Sequence, residues 1–260
     1  MAPVALWRRR CLSWQACDLS QALTHFTFLA DVTTLADGCR FVGDRQTLVA
    51  RYDELPFAAI AFYGTDPARI RALVGDLVGP DEWFYCLVGE AMWPLTQAAF
   101  SVIETNDEWQ MIFRGDPATL DPGDAQPLTP SDLPAMARLA EREEMMALEH
   151  NPLAQGPCYG IRREGELVAQ GGTHLMLGQM AEIGNVVTAR ACRRRGYASS
   201  VVAALVRALA ERGKTPFLHV FQTNEPAIRC YEALGFEPLR RMILARCRLN
   251  APSHPSPEAE

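Results

Sequence analysis

The segment Val186 to Phe236 decides the fold. Within it, Arg193-Arg194-Arg195-Gly196-Tyr197-Ala198 lies between a β-branched run and an apolar helical pattern. The run Ile183 to Thr188 predicts a strand, because apolar and β-branched residues favour extended pairing. From Ala198 onward apolar residues recur at helical spacing as far as Gly213, and glycine commonly ends a helix. The segment therefore predicts a strand, a glycine turn and a helix in direct succession.

The glycine turn has the composition of an anion site. Small residues at Gly196 and Ala198 let backbone N–H groups approach a ligand closely. The first turn of a helix adds N–H groups without intrahelical acceptors and the positive end of the helix dipole. The side chains of Arg193 to Arg195 bring further positive charge. Because each charge–dipole interaction contributes only about 0.3 to 1 kcal/mol, several donors must act together on a ligand such as a pyrophosphate.

A second motif follows the helix. Phe217 to Phe221 predicts a short strand, and Asn224 predicts an N-cap with Pro226 in the first helical turn. Gly235 predicts the end of this second helix, and Tyr231 lies on its apolar face.

Together these motifs resemble the GNAT superfamily of acetyl-CoA-dependent N-acetyltransferases. The phosphate motif of that superfamily, Arg/Gln-x-x-Gly-x-Gly/Ala, is matched by Arg193, Gly196 and Ala198. Its later signature is matched by Asn224, Ala227, Tyr231, Gly235 and Phe236. The resemblance covers residues 125–248, and Gly184 to Thr188 is similar to the branch that includes glycine N-acyltransferase-like proteins. It implies an α/β (α+β) fold with a mixed, mostly antiparallel sheet flanked by helices.

The same resemblance implies where acetyl-CoA binds. The strand before the glycine turn is expected to bulge and part from its neighbour, leaving a V-shaped slot for the pantetheine arm. Backbone N–H groups near Val186 and Val187 would hold that arm and polarise the thioester carbonyl. Asn224 and Ala227 would line the opposite wall. The residues expected at the pyrophosphate are Arg193, Arg194, Arg195, Gly196, Tyr197, Ala198 and Ser199.

Acyl transfer to an amine needs a neutral amine, a stabilised oxyanion and a proton for the leaving thiolate. Tyr231 suits the last role, because a phenol with a reference pKa of about 10 is protonated at neutral pH. For the base, Glu182 precedes the slot strand, as a glutamate does in several superfamily members. His174, His219 and water are alternatives for the base. The competing interpretation is a packed core position for Tyr231 and the histidines, and an exposed strand-start carboxylate for Glu182.

Composition bounds the class of protein. The 260 residues carry a net charge of −6, and the only basic runs are Arg8 to Arg10 and the three arginines of the turn, which argues against a nucleic-acid partner. We expect no membrane span and no export signal, because no long apolar core follows Arg10, and hence a cytoplasmic protein. Eight cysteines without a Cys-x-x-Cys pair predict neither a zinc site nor a disulfide scaffold, and we expect no metal.

Residues 1–120 are expected to form an additional N-terminal α/β domain, with the catalytic domain at 125–248 and a disordered tail at 249–260. Asp116 to Asp124 is the predicted linker. A degenerate copy of the GNAT fold is one interpretation of the N-terminal domain, although residue identities show no internal repeat. Arg40-x-x-Gly43-x-Arg45 echoes the phosphate motif, but an arginine replaces the small residue. The predicted helices are Leu19 to Leu35 and Asp66 to Leu77. The predicted strands are Leu48 to Tyr52, Phe57 to Tyr63, Trp83 to Val88 and Trp109 to Phe113.

The helix that opens the catalytic domain is predicted to begin at Thr129-Pro130-Ser131-Asp132. In the superfamily this region helps to frame the acceptor site. Candidate acceptor contacts are therefore Glu141, Glu143, Glu144, Met145, Met146 and His150, although a charged run is usually a solvated helix face.

The sequence thus predicts an acyl-CoA-dependent N-acyltransferase that transfers acetyl from acetyl-CoA to a small-molecule amine or amino acid by direct attack in a ternary complex. The alternative is a catalytically silent acyl-CoA-binding regulatory protein. A cysteine nucleophile is less favoured, because Cys192 and Cys230 have no histidine beside them in the sequence.

Overall fold

The computed structural model describes residues 23, 25–146 and 151–249. The predictions that concern Arg8 to Arg10, His150 and tail residues 250–260 lie outside these residues. The described helices are α1 (Phe26–Thr33), α2 (Pro67–Gly75), α3 (Trp93–Ala99), α4 (Leu133–Arg142), α5 (Tyr197–Ala210) and α6 (Glu225–Ala233). The described strands are β1 (Cys39–Gly43), β2 (Leu48–Tyr52), β3 (Ala58–Tyr63), β4 (Trp83–Gly89), β5 (Ser101–Phe113), β6 (Gln126–Pro127), β7 (Cys158–Arg163), β8 (Glu166–Leu177), β9 (Met180–Thr188), β10 (Thr215–Phe221) and β11 (Phe236–Arg248).

All described strands belong to one sheet in the order β1-β2-β3-β4-β11-β5-β10-β9-β8-β7-β6. Its pairs are antiparallel except for β3 with β4 and β9 with β10. This is the predicted mixed, mostly antiparallel arrangement. Arg40 and Gly43 lie in the β1–β2 hairpin, so the echo of the phosphate motif does not lead into a helix.

The two halves of the chain exchange strands. β5 precedes the predicted linker, yet it lies between β10 and β11 and pairs antiparallel with both. β11, the last strand, lies in turn between β4 and β5. This pairing extends β5 back to Ser101, well before the predicted start at Trp109, because the polar residues of β5 find partners on β11. The division into domains at 120 and 125 stays a prediction, but β5 places N-terminal side chains beside β10.

Helices cover both faces of the C-terminal part of the sheet. Val201, Leu205 and Leu209 of α5 are completely buried, which confirms the predicted apolar face. Each such side chain contributes roughly 1.5 to 3 kcal/mol of burial free energy. α1 packs on the other face, where the ring centroid of Phe26 lies 4.5 Å from that of Phe217. α1 thereby reaches the C-terminal strands from the N-terminal half.

The predicted helix boundaries are confirmed by local geometry. Asn224 caps α6 by accepting a hydrogen bond from the Ala227 N–H at 3.3 Å. Gly213 and Gly235 follow α5 and α6 with φ values of 67° and 98°, in the left-handed region that favours glycine. Thr129 opens the segment before α4 with a capping box. Among the described helices, none is long and apolar enough to cross a membrane.

Candidate active site

A gap opens between the parallel strands β9 and β10. They pair over three residues only, with Glu182 opposite Phe217 as the last pair in the described part of the chain. Beyond that pair the strands part, as the V-shaped slot requires. A strand gap interrupts the ladder, and an extended ligand can pair with strand backbone at such a place.

Two bulges shape the strand on one side of the gap. The β8–β9 register gains one residue on β9 between Gly184 and Val187, where Asn185 has a φ of 56°. It gains one residue on β8 at His174. A Cβ at Gly184 would lie 2.7 Å from the His174 Cβ, so glycine is required for this close approach. The predicted bulge in β9 is therefore confirmed, and it brings His174 beside the gap.

The glycine turn leads directly into α5. Gly196 has a φ of 79°, and a Cβ added there would meet no atom within 4 Å, so the turn is open. The first backbone hydrogen bond runs from Ser200 N–H to Gly196 O at 3.0 Å. The N–H groups of Tyr197 to Ser199 precede it, and these are the donors that a helix N-terminus offers to an anion.

A cavity of about 610 Å³ joins the glycine turn to the strand gap. Arg195 is the one predicted cofactor residue that does not line it. The predicted residues that do line it are Val186, Val187, Arg193, Arg194, Gly196, Tyr197, Ala198, Ser199, Asn224 and Ala227.

Arginines beside the turn are held by glutamates at the end of α4. The Arg193 Nη2 donates to Glu143 Oε2 at 3.2 Å, and its Nε donates to the Thr188 carbonyl at 3.1 Å. The Arg190 Nη2 donates to Glu144 Oε2 at 3.0 Å. Glu143 and Glu144, two of the predicted acceptor contacts, therefore pair with these arginines, and their contact with an acceptor stays a prediction.

The tyrosine of the turn uses its side chain structurally. The Tyr197 hydroxyl accepts a hydrogen bond from Arg163 Nε at 2.9 Å, and the guanidinium carbon of Arg163 lies 4.7 Å from the centre of the Tyr197 ring. Arg163 thus fixes the position of the Tyr197 ring beside the turn.

A second cavity, of about 380 Å³, lies on the other side of the gap. Met145 and Met146, two of the predicted acceptor contacts, line it together with Glu182, His174 and His219. Its remaining walls include side chains of α1, β3, β4 and β5, all from the N-terminal half. The exchange of strands thus builds this cavity from both halves of the chain.

Glu182 is the centre of a buried cluster. Its Oε1 lies 2.8 Å from His219 Nδ1 and 3.6 Å from His174 Nδ1. Burial opposes the charge of this carboxyl, but the imidazoles of His219 and His174 outweigh burial and hold the pKa of Glu182 below its usual range. Burial would also lower the pKa of His219, yet Glu182 raises it. Glu182 and His219 therefore form an ion pair, which leaves Glu182 weakly basic.

Tyr231 lies where the two cavities meet and lines both. It is buried, and its ring centroid lies 6.0 Å from that of Phe236. Burial raises the pKa of the Tyr231 hydroxyl well above its usual value, with Cys230 adding to the effect. The phenol is therefore protonated at neutral pH.

Sequence reasoning missed three polar residues of the N-terminal half. Gln110 Nε2 lies 3.0 Å from His219 Nε2, and Glu108 lies two residues before Gln110 on the same face of β5. Asp31 of α1 lines the second cavity and is 2% exposed. Burial raises the pKa of Asp31 to about 8, only partly offset by His174, and burial likewise raises the pKa of Glu108. In the sequence, the one sign of these residues is Asp31, a carboxylate inside the apolar stretch Phe26–Thr33.

The comparisons with known proteins agree with this geometry. The FR47-like protein family matches residues 158–245, which contain the slot strand, the glycine turn and Tyr231. No curated protein gives a significant sequence match to the chain.

Solved structures match most of the chain. A GNAT-family acetyltransferase from Novosphingobium aromaticivorans is 25% identical, with a TM-score of 0.71 over 90% of this chain and 100% of that one. A GCN5-related N-acetyltransferase from Kribbella flavida is 17% identical, with a TM-score of 0.65 over 86% and 95% of the two chains. A tandem GNAT protein from the clavulanic acid biosynthesis pathway is 15% identical, with a TM-score of 0.58 over 87% and 88%.

The fold and these matches define the class: the chain has the fold of acyl-CoA-dependent N-acyltransferases. This is the GNAT fold, and residues 158–245 also match the FR47-like protein family. The likeness of fold to the tandem GNAT protein covers 87% of the chain and therefore extends into the N-terminal half; a degenerate GNAT copy in that half stays a prediction.

Proposed function

We propose that this protein transfers an acetyl group from acetyl-CoA to an amine by direct attack within a ternary complex. The supporting observation is that two cavities meet at the strand gap and share Val186, Asn224 and Tyr231. The first cavity leads to the glycine turn. The second, which we call the acceptor cavity, contains Glu182, His174 and His219. Donor and acceptor can therefore approach the gap from opposite sides, which favours direct transfer.

The residues of the larger cavity fit an acyl-CoA. The open left-handed turn at Gly196 exposes the first N–H groups of α5, and Arg193 and Arg194 line the same cavity. These groups suit a pyrophosphate. Backbone groups near Val186 and Val187 face the gap and suit the amides of a pantetheine arm. Bound acyl-CoA supplies an activated thioester, whose C–S bond breaks as the C–N bond of the amide forms.

A base must remove a proton from the ammonium form of the acceptor. The ion pair with His219 weakens Glu182 as a direct base, whereas the His174 side chain is 31% exposed and lines the acceptor cavity. We assign the base to the pair: the His174 imidazole takes the proton, and Glu182, 3.6 Å from its Nδ1, stabilises the resulting imidazolium.

Tyr231 is the proposed proton donor to the departing thiolate. It lies at the junction of the cavities, and its raised pKa keeps the hydroxyl protonated. General acid catalysis contributes about 10²- to 10⁴-fold to a rate.

The test begins with titration of the protein with acetyl-CoA by calorimetry, followed by release of free thiol with a panel of amines. We expect acetyl-CoA to bind and thiol release to depend on the amine. Tyr231→Phe should lower kcat at least about 100-fold while the Kd for acetyl-CoA stays within about twofold. Tyr159→Phe, the same change at a residue that lines neither cavity, is the matched control and should keep the wild-type kcat.

Each other outcome has a distinct meaning. Binding of acetyl-CoA without thiol release from any amine would favour the catalytically silent regulatory protein. Failure to bind acetyl-CoA would refute the assignment of the glycine turn. An unchanged kcat in Tyr231→Phe would remove Tyr231 as the acid.

A further inference from the structure

The acceptor cavity has three carboxyl groups in its walls. Asp31, Glu108 and Glu182 line it, and among the described lining residues there is neither an arginine nor a lysine. The imidazoles of His174 and His219 are the basic groups there, and both lie close to Glu182. A ligand with a carboxylate would meet no guanidinium or ammonium from these residues, whereas a bound cation would meet carboxyl groups and favour their ionised form.

Glu108 points to a ligand most directly. It is 7% exposed, lines the cavity and receives no hydrogen bond from any residue that the structure describes. Met242 and Phe221 are its neighbours across the sheet on β11 and β10. A carboxyl that opens onto a cavity takes its hydrogen-bond donors from whatever occupies that cavity, and a ligand can supply them. An ammonium group has three N–H donors and a positive charge, so it satisfies Glu108 on both counts.

The rest of the cavity is apolar and partly aromatic. Phe57 and Tyr85 line it with their ring centroids 5.0 Å apart, edge to face, and Leu87 and Leu244 continue the same wall. Trp83 is 40% exposed and packs edge to face on Tyr85, which extends the aromatic surface beyond the cavity. Exposed aromatic surface at the edge of a cavity is typical of a site for an aromatic ligand.

We infer that the acceptor is a small primary amine that carries an aromatic or similarly bulky apolar body and no carboxylate. The ammonium group lies among Glu108, Asp31 and the Glu182 cluster, and the body lies against Phe57 and Tyr85. This inference rests on the proposed function and narrows it: free amino acids, which that function leaves open, are excluded. A volume of about 380 Å³ suits a ligand of this size.

The test compares three acceptors that differ by one feature each. 2-Phenylethylamine has the cation and the ring, phenylalanine adds a carboxylate, and ethylamine lacks the ring. With saturating acetyl-CoA, we expect kcat/KM for 2-phenylethylamine to exceed that for phenylalanine by at least about 100-fold and that for ethylamine by at least about 10-fold. Equal or better use of phenylalanine, or of ethylamine, would overturn the inference.

Variants locate the two parts of the site. Glu108→Gln should raise the KM for 2-phenylethylamine at least about 10-fold. Phe57→Ala should reduce the ratio of kcat/KM for 2-phenylethylamine to kcat/KM for ethylamine to less than about threefold. Glu104→Gln, on the same strand but outside the cavity, is the matched control and should change neither value. Unchanged acetyl-CoA binding by each variant verifies that it is folded; if Glu108→Gln does not fold, the Phe57→Ala result decides.

Direct calorimetry with 2-phenylethylamine and phenylalanine, without acetyl-CoA, separates this inference from the proposed function. If the amine binds and phenylalanine does not, but acetyl-CoA fails to bind, only the transferase proposal falls. If acetyl-CoA binds and is consumed with phenylalanine but not with 2-phenylethylamine, only the present inference falls.

Discussion

Replacing Asp31 by asparagine should change how the stability of the protein depends on pH. Asp31 is buried in α1, and burial raises its pKa to about 8 from an ordinary 3.8, with His174 opposing only in part. A carboxyl whose pKa is higher in the folded state favours folding most when it is protonated. Its contribution is therefore fully present below about pH 4 and is lost as the pH rises towards about 8.

The magnitude follows from the width of that window. For each pH unit of increase between about pH 4 and pH 8, the free energy of unfolding falls by up to about 1.4 kcal/mol, because the unfolded chain releases the proton and the folded chain keeps it. Between pH 5 and pH 7 the Asp31 carboxyl should therefore remove about 2.7 kcal/mol from the free energy of unfolding. Asparagine has nearly the same shape and does not titrate, so Asp31→Asn should lack this loss.

The assay is urea denaturation of both proteins at pH 5, 6 and 7 without ligand. The unfolding free energy of Asp31→Asn minus that of wild type should rise by about 2.7 kcal/mol across this range, whatever its value at pH 5. Asp81→Asn, at an exposed position, is the control and should show no such rise. A difference that stays constant within about 0.5 kcal/mol would show that Asp31 is ionised in the folded protein and would refute the reasoning.

Three further substitutions test the site. Glu182→Gln leaves His219 without its anionic partner and should lower the unfolding free energy at pH 7 by about 3 kcal/mol in urea denaturation; a loss below about 1 kcal/mol would mean that the ion pair contributes little. Gly184→Ala places a Cβ 2.7 Å from the His174 Cβ, so it should cost about 1 to 3 kcal/mol and reduce kcat at least about 10-fold, and an unchanged kcat would argue against His174 as the base. Gly196→Ala meets no neighbouring atom but strains a left-handed residue, as does Gly165→Ala with a φ of 84°. Both should lose about 1 to 2 kcal/mol of stability, but only Gly196→Ala should weaken acetyl-CoA binding in calorimetry, and equal affinities would separate the turn from the ligand.

The sequence correctly predicted those elements that depend on interactions between neighbouring residues. The cap at Asn224 joins groups three residues apart, and the stop at Gly213 depends on one left-handed residue. The apolar stripe of α5 repeats within a single helix. Such interactions are encoded in short windows, so pattern and residue type predict them. The turn at Gly196 belongs to the same group, and the resemblance to GNAT proteins rested on it.

The acceptor side of the site could not be found in this way. Gln110 and His219 are 109 positions apart in the chain, and they meet only because β5 inserts between β10 and β11. The alternation of side chains along β5 follows from neighbouring residues, but the strands that pair with β5 lie far from it in the sequence. Strand pairing is decided by the whole sheet, since a strand presents the same backbone groups to any partner.

The ionisation of the cluster depends on the same assembly. In the sequence Glu182 is a carboxylate before an apolar run, suitable as a base. In the folded protein it lies 2.8 Å from a buried imidazole, and its pKa is lowered rather than poised near neutrality. Asp31 moves in the opposite direction because its burial is not matched by an equally close cation. Residue types and their spacing thus sufficed for the turn, the helices and the class of protein, whereas burial and charge proximity, which exist only after the halves exchange strands, decided the chemistry of the acceptor cavity.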